Sequence, residues 1–137
     1  MAQQHLDQLS AVDAAFLHQE GATTHMHIGA VVLLEGPPPE IEDFREHIRS
    51  RLPLVPRYRQ KLATPPLNLG RPRWIDDPRF NLDYHVRHTA LPQPGDEAAL
   101  RRLVARVFAQ RLDRTKPLWE MWVVEGLADG RWALLSK

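Results

Sequence analysis

The chain has 137 residues, of which 43% are hydrophobic, so it is long enough for one globular domain and too apolar to be disordered throughout. Its 18 basic and 17 acidic residues nearly cancel, which gives no general attraction to nucleic acid or acidic membranes, and it has no cysteine for a disulfide or a thiolate. No stretch approaches the roughly 18–20 apolar residues of a membrane-spanning helix, and the polar start MAQQHLDQLS does not read as a signal peptide. We therefore expect a protein that is soluble or at most peripheral to a membrane.

The first part of the chain predicts a short helix followed by a strand. Ser10 is placed to cap the helix and Asp13 to stand in its first turn, where a carboxylate is favoured. Val12 and Phe16 fall on one apolar face of that helix. The β-rich stretch of residues 26–34 then favours a central strand.

A second helix is predicted to open at Glu40 and to end at Pro53, because proline lacks the amide donor that a helix interior needs. Its arginines, Arg45, Arg49 and Arg51, are expected to face water. Its apolar face repeats at steps of three and four residues and consists of Ile41, Phe44, Ile48 and Leu52.

The middle of the chain predicts short elements and one long helix. Residues 56–61 form a basic turn or short helical piece, and residues 74–75 form a short extended piece. Residues 83–91 alternate in the manner of a half-exposed strand or an edge strand. Asp96 then caps the helix with the clearest apolar stripe, whose members are Leu100, Leu103, Val104, Val107, Phe108 and Leu112.

The last segment, residues 117–137, predicts a hairpin of two strands. Gly126, Asp129 and Gly130 supply the backbone freedom that its connection needs. The apolar run of residues 132–135 is typical of a strand buried on both faces, and this strand still continues where the sequence stops. The succession of helix, strand, helix, short strands, helix and hairpin indicates an α+β domain without repeats or linkers.

The residues that could carry chemistry do not form a recognisable active site. His25 and His27 are expected on one face of a strand, and His85 and His88 on different faces, but no carboxylate or cysteine completes the ligands of a zinc site. The sequence has no glycine-rich phosphate loop and no Gly-x-Ser-x-Gly elbow. Trp119 is interpreted as a packed residue rather than as the wall of a ligand pocket. We predict no metal site and no covalently bound cofactor.

A basic segment with interleaved aromatic residues allows two interpretations. Tyr58 and Trp74 could stack on bases while the cations grip phosphates, yet no nucleic-acid motif is present, so a solvated basic patch is favoured over a nucleic-acid site. Binding of a phosphate-bearing cofactor is a further possibility. The cations are Arg57, Arg59, Lys61, Arg71 and Arg73.

Several short motifs follow one another in a recognisable order and spacing. They are residues 9–13 with Phe16 and Leu17, residues 25–29, residues 71–74, residues 80–86, and Leu112 and Asp113 followed by Pro117, Leu118, Trp119 and Gly126. Together they resemble the bacterial wax ester synthase/acyl-CoA:diacylglycerol acyltransferase family, best known from mycobacteria and related actinobacteria. The resemblance covers nearly the whole chain, and its Pro-Leu-Trp element is one of that family's named motifs.

The resemblance implies a fold like that of chloramphenicol acetyltransferase and the peptide-synthetase condensation domains: a mixed sheet with helices packed on it, in two similar lobes. Residues 1–137 would be the first part of the N-terminal lobe, with no second domain. In that family a catalytic His-His-x-x-x-Asp-Gly motif follows the strand that here is residues 131–137, and its second histidine acts as general base. The sequence stops where that motif would begin, so no residue of this chain is assigned a catalytic role.

The resemblance also implies substrates and partners. The parent protein would transfer a long-chain acyl group from acyl-CoA to diacylglycerol or to a long-chain alcohol, whereas this chain alone is expected to be inactive. Pro117, Leu118 and Trp119 would be structural or would support the acyl/CoA-binding region, and the five basic residues could meet the CoA phosphates. The alternatives are a non-catalytic module that binds acyl-CoA or lipid or self-associates, and a related acyltransferase with another acceptor.

Two expectations concern the state of the chain. The last strand is expected to expose unpaired backbone and apolar surface, which would lead to self-association or poor solubility. The protein is expected in the cytoplasm without a nucleic-acid partner, and peripheral attachment to a membrane or to lipid droplets is left open.

Overall fold

The computed structural model describes residues 8–137, and its largest feature is a mixed sheet of four strands. The strand order is β1 (Ala30–Leu34), β6 (Trp132–Ser136), β5 (Met121–Glu125) and β4 (Val86–Ala90). β6 runs antiparallel to both of its neighbours, whereas β4 and β5 are parallel. The α+β class with a mixed sheet is therefore confirmed. Residues 1–7, which belong to the polar start of the sequence, lie outside the described residues.

The described residues group into two compact units. The first unit contains the residues up to Met26 together with Leu54–Phe80 and Asp113–Leu118. The second unit contains the four-stranded sheet and consists of His27–Pro53, Asn81–Leu112 and Trp119–Lys137. None of the helices within residues 8–137 has the length and apolar character needed to cross a bilayer.

The predicted hairpin of residues 117–137 is confirmed as β5 and β6, but its second strand is an inner strand. β1 pairs along one side of β6 and β5 along the other, so that Leu135 lies between Val31 and Trp122. Leu135 and Ala133 are fully buried. The expectation that the last strand exposes unpaired backbone is wrong, because strands pair with both of its edges.

β1 forms an edge of the sheet instead of its centre. The strand covers only Ala30–Leu34, not residues 26–34, and it pairs with β6 alone. Val31, Val32 and Leu33 are all exposed. The apolar run indicated burial on two faces, but an edge strand has fewer neighbours to cover its side chains, so composition alone placed it too deep in the sheet.

Helix α4 (Glu97–Phe108) packs its apolar stripe on one face of the sheet. The carboxylate of Asp96 caps the helix as predicted and accepts a hydrogen bond from the amide of Ala99 at 2.8 Å. The stripe and the sheet together form the main core of this unit. That core contains Leu91, Ala99, Leu100, Leu103, Val107, Val124, Leu127, Ala133 and Leu135.

Helix α2 (Ile41–Arg51) confirms the second predicted helix, and Leu52 directly after it is buried. One of its arginines does not face water as expected. Arg45 donates hydrogen bonds from Nε and Nη2 to the carbonyl oxygen of Val86, at 3.1 and 3.0 Å. The predicted polar face of α2 is therefore interrupted where an arginine satisfies a backbone acceptor at the start of β4.

The predicted edge strand of residues 83–91 is confirmed only in its second half. Residues Leu82–His85 form a single helical turn, α3, and Asn81 caps it by accepting a hydrogen bond from the amide of Asp83 at 3.0 Å. β4 follows directly and lies at the sheet edge, as predicted. The alternating pattern could not reveal the helical turn, because one turn is too short to show a helical period.

The first unit contains helix α1 (Ala11–Gln19), whose cap is confirmed but whose apolar face is not. The Ser10 hydroxyl accepts a hydrogen bond from the amide of Asp13 at 3.0 Å. Val12 and Phe16 are exposed, however, and the small side chain of Ala14 is the one that is buried. The spacing of large apolar residues therefore predicted the wrong face.

A two-stranded antiparallel ribbon completes the first unit. It consists of β2 (Gln60–Ala63) and β3 (Arg73–Asp76), and a short 3-10 helix, Pro56–Arg59, precedes β2. The 3-10 helix agrees with the predicted short helical piece, and β3 contains the predicted extended residues 74–75. β2 was not predicted, because a four-residue strand leaves too little alternation to recognise.

Two turns of the second unit meet backbone to backbone at Gly95. A Cβ atom added to Gly95 would lie 1.8 Å from the carbonyl oxygen of Gly126, and Gly95 has a φ of +69°. The carbonyl oxygen of Gly95 accepts a hydrogen bond from the amide of Ala128 at 2.9 Å. This contact fixes the turn before α4 against the connection between β5 and β6.

We expect Gly95→Ala to lower the free energy of unfolding by about 3 kcal/mol or more, because the methyl group would push the backbone of Gly126 aside. Gly130→Ala is the matched control, since Gly130 also has a positive φ, +67°, but has nothing within 4 Å of an added Cβ. Its expected loss is about 1 kcal/mol. Urea-induced unfolding followed by circular dichroism measures both, and equal losses would show that backbone conformation alone limits position 95.

Candidate functional site

The Pro-Leu-Trp segment, residues 117–119, lies directly before β5. A turn at Asp113 precedes it, in which the carboxylate accepts hydrogen bonds from the hydroxyl and the amide of Thr115, at 2.7 and 2.9 Å. These hydrogen bonds, together with the charge of Lys116, hold the pKa of Asp113 below its ordinary value of 3.8. The Asp113 carboxylate is therefore ionised at neutral pH and keeps the turn closed. Pro117 and Trp119 are both buried.

Trp119 packs against His85. The two rings are stacked with centroids 4.6 Å apart and an interplanar angle of 21°, and Nδ1 of His85 lies 2.7 Å from the carbonyl oxygen of Trp119. The ring of Tyr84 meets His85 edge-on at 5.1 Å. The interpretation of Trp119 as a packed residue is confirmed, and His85 belongs to the same packed cluster.

A buried ion pair lies at the next position along the chain. Glu120 and Lys137 exchange both of their backbone hydrogen bonds, at 2.8 and 2.9 Å, so the pairing of β5 with β6 extends to the last residue. Their side chains also meet, with Nζ of Lys137 3.5 Å from a carboxylate oxygen of Glu120. The Lys137 side chain is 1% exposed and that of Glu120 is 8% exposed. A buried charge is tolerated only when it is paired and hydrogen-bonded.

Helix α4 completes the set of acceptors around Lys137. Nζ donates hydrogen bonds to the carbonyl oxygens of Val107 and Gln110, at 3.0 and 2.8 Å. These carbonyls lie at and just beyond the carboxyl end of the helix, where the helix dipole favours a cation. Lys137 therefore fastens the end of β6 both to β5 and to α4.

Arg87 contacts the other carboxylate oxygen of Glu120. Its guanidinium lies 3.7 Å from a carboxylate oxygen of Glu120 and donates a hydrogen bond from Nε to the carbonyl oxygen of Tyr84 at 2.7 Å. It also lies over the ring of Trp122, 5.1 Å from the centroid, and the indole of Trp122 donates to Glu120 at 3.3 Å. We call Arg87, Glu120 and Lys137 the ion cluster. It holds strand ends in place.

Sequence reasoning missed the ion cluster. None of its three members stands out in the sequence by its charge. The sequence did contain one indication of it. Glu120 directly precedes β5 and Lys137 directly follows β6, so opposite charges stand at the two ends of a mostly apolar hairpin. Because partners across a sheet are not adjacent in sequence, a charge at each end of a hairpin could have suggested this pairing.

Two further histidines take part in separate contacts. His27, expected on a strand beside His25, lies before β1, and its Nε2 is 2.9 Å from the carbonyl oxygen of Phe108. His88 lies 3.2 Å from a carboxylate oxygen of Glu125. Within residues 8–137, no three histidine or acidic side chains are grouped so as to hold a metal ion.

The five basic residues proposed for phosphate binding all lie in the first unit but serve different contacts. Arg57 lies over the ring of Trp74 and Arg59 over that of Phe80. Lys61 is 3.5 Å from the carboxylate of Asp77. These three cations are engaged with neighbouring side chains.

The other two basic residues, Arg71 and Arg73, line a groove of about 350 Å³ together with Leu69 and Ile75. Nη2 of Arg71 donates to the side-chain oxygen of Gln8 at 3.4 Å. The described residues that line this groove include no carboxylate. The structure therefore separates the predicted set of five into three engaged cations and two that border a groove.

Comparison with known proteins assigns the chain to a family. Residues 9–137 match the model of the wax ester synthase/diacylglycerol acyltransferase catalytic domain. The chain belongs to this family. The resemblance based on short motifs is thereby confirmed.

Relatives within the family are longer than this chain. A protein of Mycobacterium tuberculosis named as a probable diacylglycerol O-acyltransferase is 46% identical over 134 residues, which are 96% of this chain and 29% of that protein. A second protein of the same organism, named in the same way, is 47% identical over 131 residues, 94% of this chain and 48% of its own length. The chain therefore spans between about a third and a half of these relatives.

Solved structures agree on the fold. The wax ester synthase/diacylglycerol acyltransferase from Marinobacter aquaeolei VT8 is 30% identical, with a TM-score of 0.80 over 95% of this chain and 32% of that one. The starter condensation domain of rhizomide synthetase RzmA gives a TM-score of 0.61 at 16% identity over 79% of this chain and 25% of that one, which is evidence for the fold alone. The predicted kinship with condensation domains is confirmed at the level of fold.

We expect Lys137→Met to lower the free energy of unfolding by about 3 kcal/mol, because Glu120 would lose a buried partner and two helix carbonyls would lose their donor. Arg102→Met, at an exposed position of α4, is the control and should change stability little. The double variant Lys137→Met/Glu120→Met should recover part of the loss, since it removes the remaining buried carboxylate. Urea-induced unfolding measures all three, and a double variant with the full additive loss would contradict the pairing.

Proposed function

We propose that this chain is part of an O-acyltransferase that transfers a long-chain acyl group from acyl-CoA to diacylglycerol or to a long-chain alcohol. The observation that carries the proposal is the match of residues 9–137 to the catalytic domain of the wax ester synthase/diacylglycerol acyltransferase family. The names of the relatives favour diacylglycerol as the acceptor. Because the chain spans 29% of one of those relatives, the activity is proposed for the whole protein.

In the proposed reaction the acceptor hydroxyl attacks the acyl thioester. A C–O bond forms, the C–S bond breaks, CoA leaves as the thiol, and a general base takes the hydroxyl proton. We assign that base to the second histidine of the His-His-x-x-x-Asp-Gly motif, expected after the strand that is now β6. The 137 residues contain no two adjacent histidines, so none of the histidines in this chain receives the role.

The proposed contribution of this chain is to support the reacting groups. The ion cluster fixes the end of β6, and the Pro117-Leu118-Trp119 segment is proposed to support the acyl/CoA-binding region from the start of β5. The stacking of Trp119 on His85 supports a rigid segment there. Rigid support matters because small misplacements of reacting groups lower the rate steeply.

The donor is proposed to be acyl-CoA. A condensation domain with the same fold has been solved in complex with C8-CoA, although its 16% identity carries no residue assignment to this chain. Of the five basic residues proposed for phosphate contact, Arg71 and Arg73 are best placed, since both border a groove without lining carboxylates. Either CoA or a lipid headgroup could supply such a phosphate.

We expect the 137-residue chain to show no acyl transfer, because it lacks the motif that would supply the general base. The measurement is release of CoA thiol from a long-chain acyl-CoA in the presence of diacylglycerol, with heat-treated protein as the blank and a full-length relative as the positive control. Acyl transfer above the blank would contradict both the expected inactivity and the assignment of the base.

A second proposal is that the chain self-associates, which was one of the alternatives to a catalytic role. The reason is not the last strand, which is paired on both sides, but β1 at the sheet edge with Val31, Val32 and Leu33 exposed. Exposed apolar edge strands are templates for pairing with another chain.

The proposed location is the cytoplasm, with peripheral contact to lipid.

Val32→Lys is expected to shift the 137-residue chain from dimer to monomer, because a lysine on an edge strand opposes pairing. Multi-angle light scattering over a range of concentrations measures the mass. Val12→Lys, at an exposed position of α1, is the control and should leave the mass unchanged. An unsubstituted 137-residue chain that stays monomeric at high concentration would contradict this proposal.

A further inference from the structure

The loop between β2 and β3 displays two leucines to solvent. Leu67 is 89% exposed and Leu69 is 75% exposed. Single exposed apolar residues are common on protein surfaces, but here two large ones lie two positions apart in one loop. Ile75 of β3, which is also exposed, lines the same groove as Leu69.

The backbone of this loop holds the leucines in place. The amides of Asn68 and Leu69 donate to the carbonyl oxygens of Pro65 and Pro66, at 3.1 and 3.2 Å. Leu67 has a φ of +56°, in the left-handed region that residues with a Cβ rarely adopt. Leu67 is therefore exposed by a hydrogen-bonded turn, which lies between Pro65 and Gly70.

Charge is concentrated around the same loop. Residues 54–80 contain six basic and two acidic side chains, a net charge of +4, whereas the other 110 residues contain twelve basic and fifteen acidic ones, a net charge of −3. The near-neutral total of the chain conceals this difference. The segment that carries the exposed leucines is the cationic part of the protein.

Two of these cations share a groove with Leu69. Arg71 and Arg73 line the groove with Leu69 and Ile75, and the described lining residues include no carboxylate. Among residues 8–137, no acidic side chain forms an ion pair with Arg71 or Arg73, in contrast to the pairing of Lys61 with Asp77. Arg73 and Ile75 are alternate residues of β3, which puts them on one face of the ribbon, and Arg71 lines the same groove.

We propose that Leu67, Leu69, Arg71, Arg73 and Ile75 form a docking surface for an anionic lipid bilayer. The leucines enter the boundary between headgroups and acyl chains, and the two arginines meet headgroup phosphates. A bilayer fits better than CoA or acyl-CoA, because it offers headgroup phosphates and a continuous apolar phase on one surface, whereas free CoA offers only phosphates and acyl-CoA only a single acyl chain. Docking goes beyond the proposed acyl transfer, since it requires neither an acyl donor nor a catalytic base.

The two kinds of residue should contribute differently. Burial of a leucine side chain favours the bound state by about tenfold or more. Each basic residue near an anionic surface contributes about fivefold, and that part falls with added salt. Leucine substitutions should thus weaken binding at every salt concentration, whereas arginine substitutions should weaken it mainly at low salt.

The test is co-flotation of the 137-residue chain with vesicles of phosphatidylcholine, with and without phosphatidylglycerol. Leu67→Asn is the leading variant, because asparagine tolerates a left-handed φ better than leucine and the fold should be retained. Leu54→Asn, at another highly exposed leucine, is its control. The charge variant is Arg71→Gln/Arg73→Gln, with the exposed pair Arg102→Gln/Arg106→Gln as its control.

We expect the parent chain and both controls to bind vesicles that contain phosphatidylglycerol. On these vesicles Leu67→Asn should bind about tenfold more weakly, and the charge variant about tenfold or more. On phosphatidylcholine alone the charge variant should bind like the unsubstituted chain. A parent chain that does not bind anionic vesicles, or variants that bind like the parent, would overturn the proposal. Binding of free CoA that is lost in the charge variant, together with unchanged vesicle binding, would assign the arginines to CoA and overturn it as well.

This experiment is independent of acyl transfer. It uses no acyl-CoA, so failure of the proposed reaction leaves the vesicle result unaffected. In the converse case, a chain that does not dock on vesicles could still belong to an active acyltransferase.

Discussion

The second unit depends on an inner strand whose end is fixed by a buried lysine. β6 pairs with β1 on one side and with β5 on the other, and its ladder continues to Lys137 through the backbone bonds with Glu120. The ammonium group of Lys137 lies inside the protein, between the carboxylate of Glu120 and two carbonyls at and just beyond the end of α4. One side chain thereby joins two strands and a helix, and the main core lies between these elements.

The part of the fold that the sequence predicted is the part governed by local rules. Caps at Ser10 and Asp96, the helix period of α2 and α4, and the glycine-bearing connection of the hairpin all depend on neighbours within a few residues. Position within the sheet is different, because it depends on which strands pair. An apolar run such as that of β1 is compatible with a central strand or with an edge, and the order of strands is not encoded in its composition.

The same distinction explains the candidate site. The Pro117-Leu118-Trp119 segment was recognised because it is contiguous. The ion cluster was missed because Arg87, Glu120 and Lys137 come from different strands, and the charge concentration in residues 54–80 was hidden by the neutral total. The five basic residues were identified as one set, yet contacts with Trp74, Phe80 and Asp77 divide them, and only the folded chain shows which cations remain available.

The two functional regions are physically different. The ion cluster is buried and holds an inner strand, whereas the leucine-bearing loop is exposed and cationic. Membership of the acyltransferase family relates the two regions to one proposed reaction, whose substrates are a water-soluble donor and a lipid acceptor. An enzyme that draws one substrate from a bilayer needs a rigid support for chemistry and a surface that contacts lipid.

Amide hydrogen exchange of the 137-residue chain tests most directly whether β6 is an inner strand fixed at Lys137. The account predicts slow exchange throughout β5 and β6, including the amides of Glu120 and Lys137, and faster exchange in the edge strand β1. If the amide of Lys137 exchanged as fast as that of an unstructured chain end while β5 stayed protected, the end of β6 would not be paired with Glu120 in solution. The account of this unit would then be contradicted.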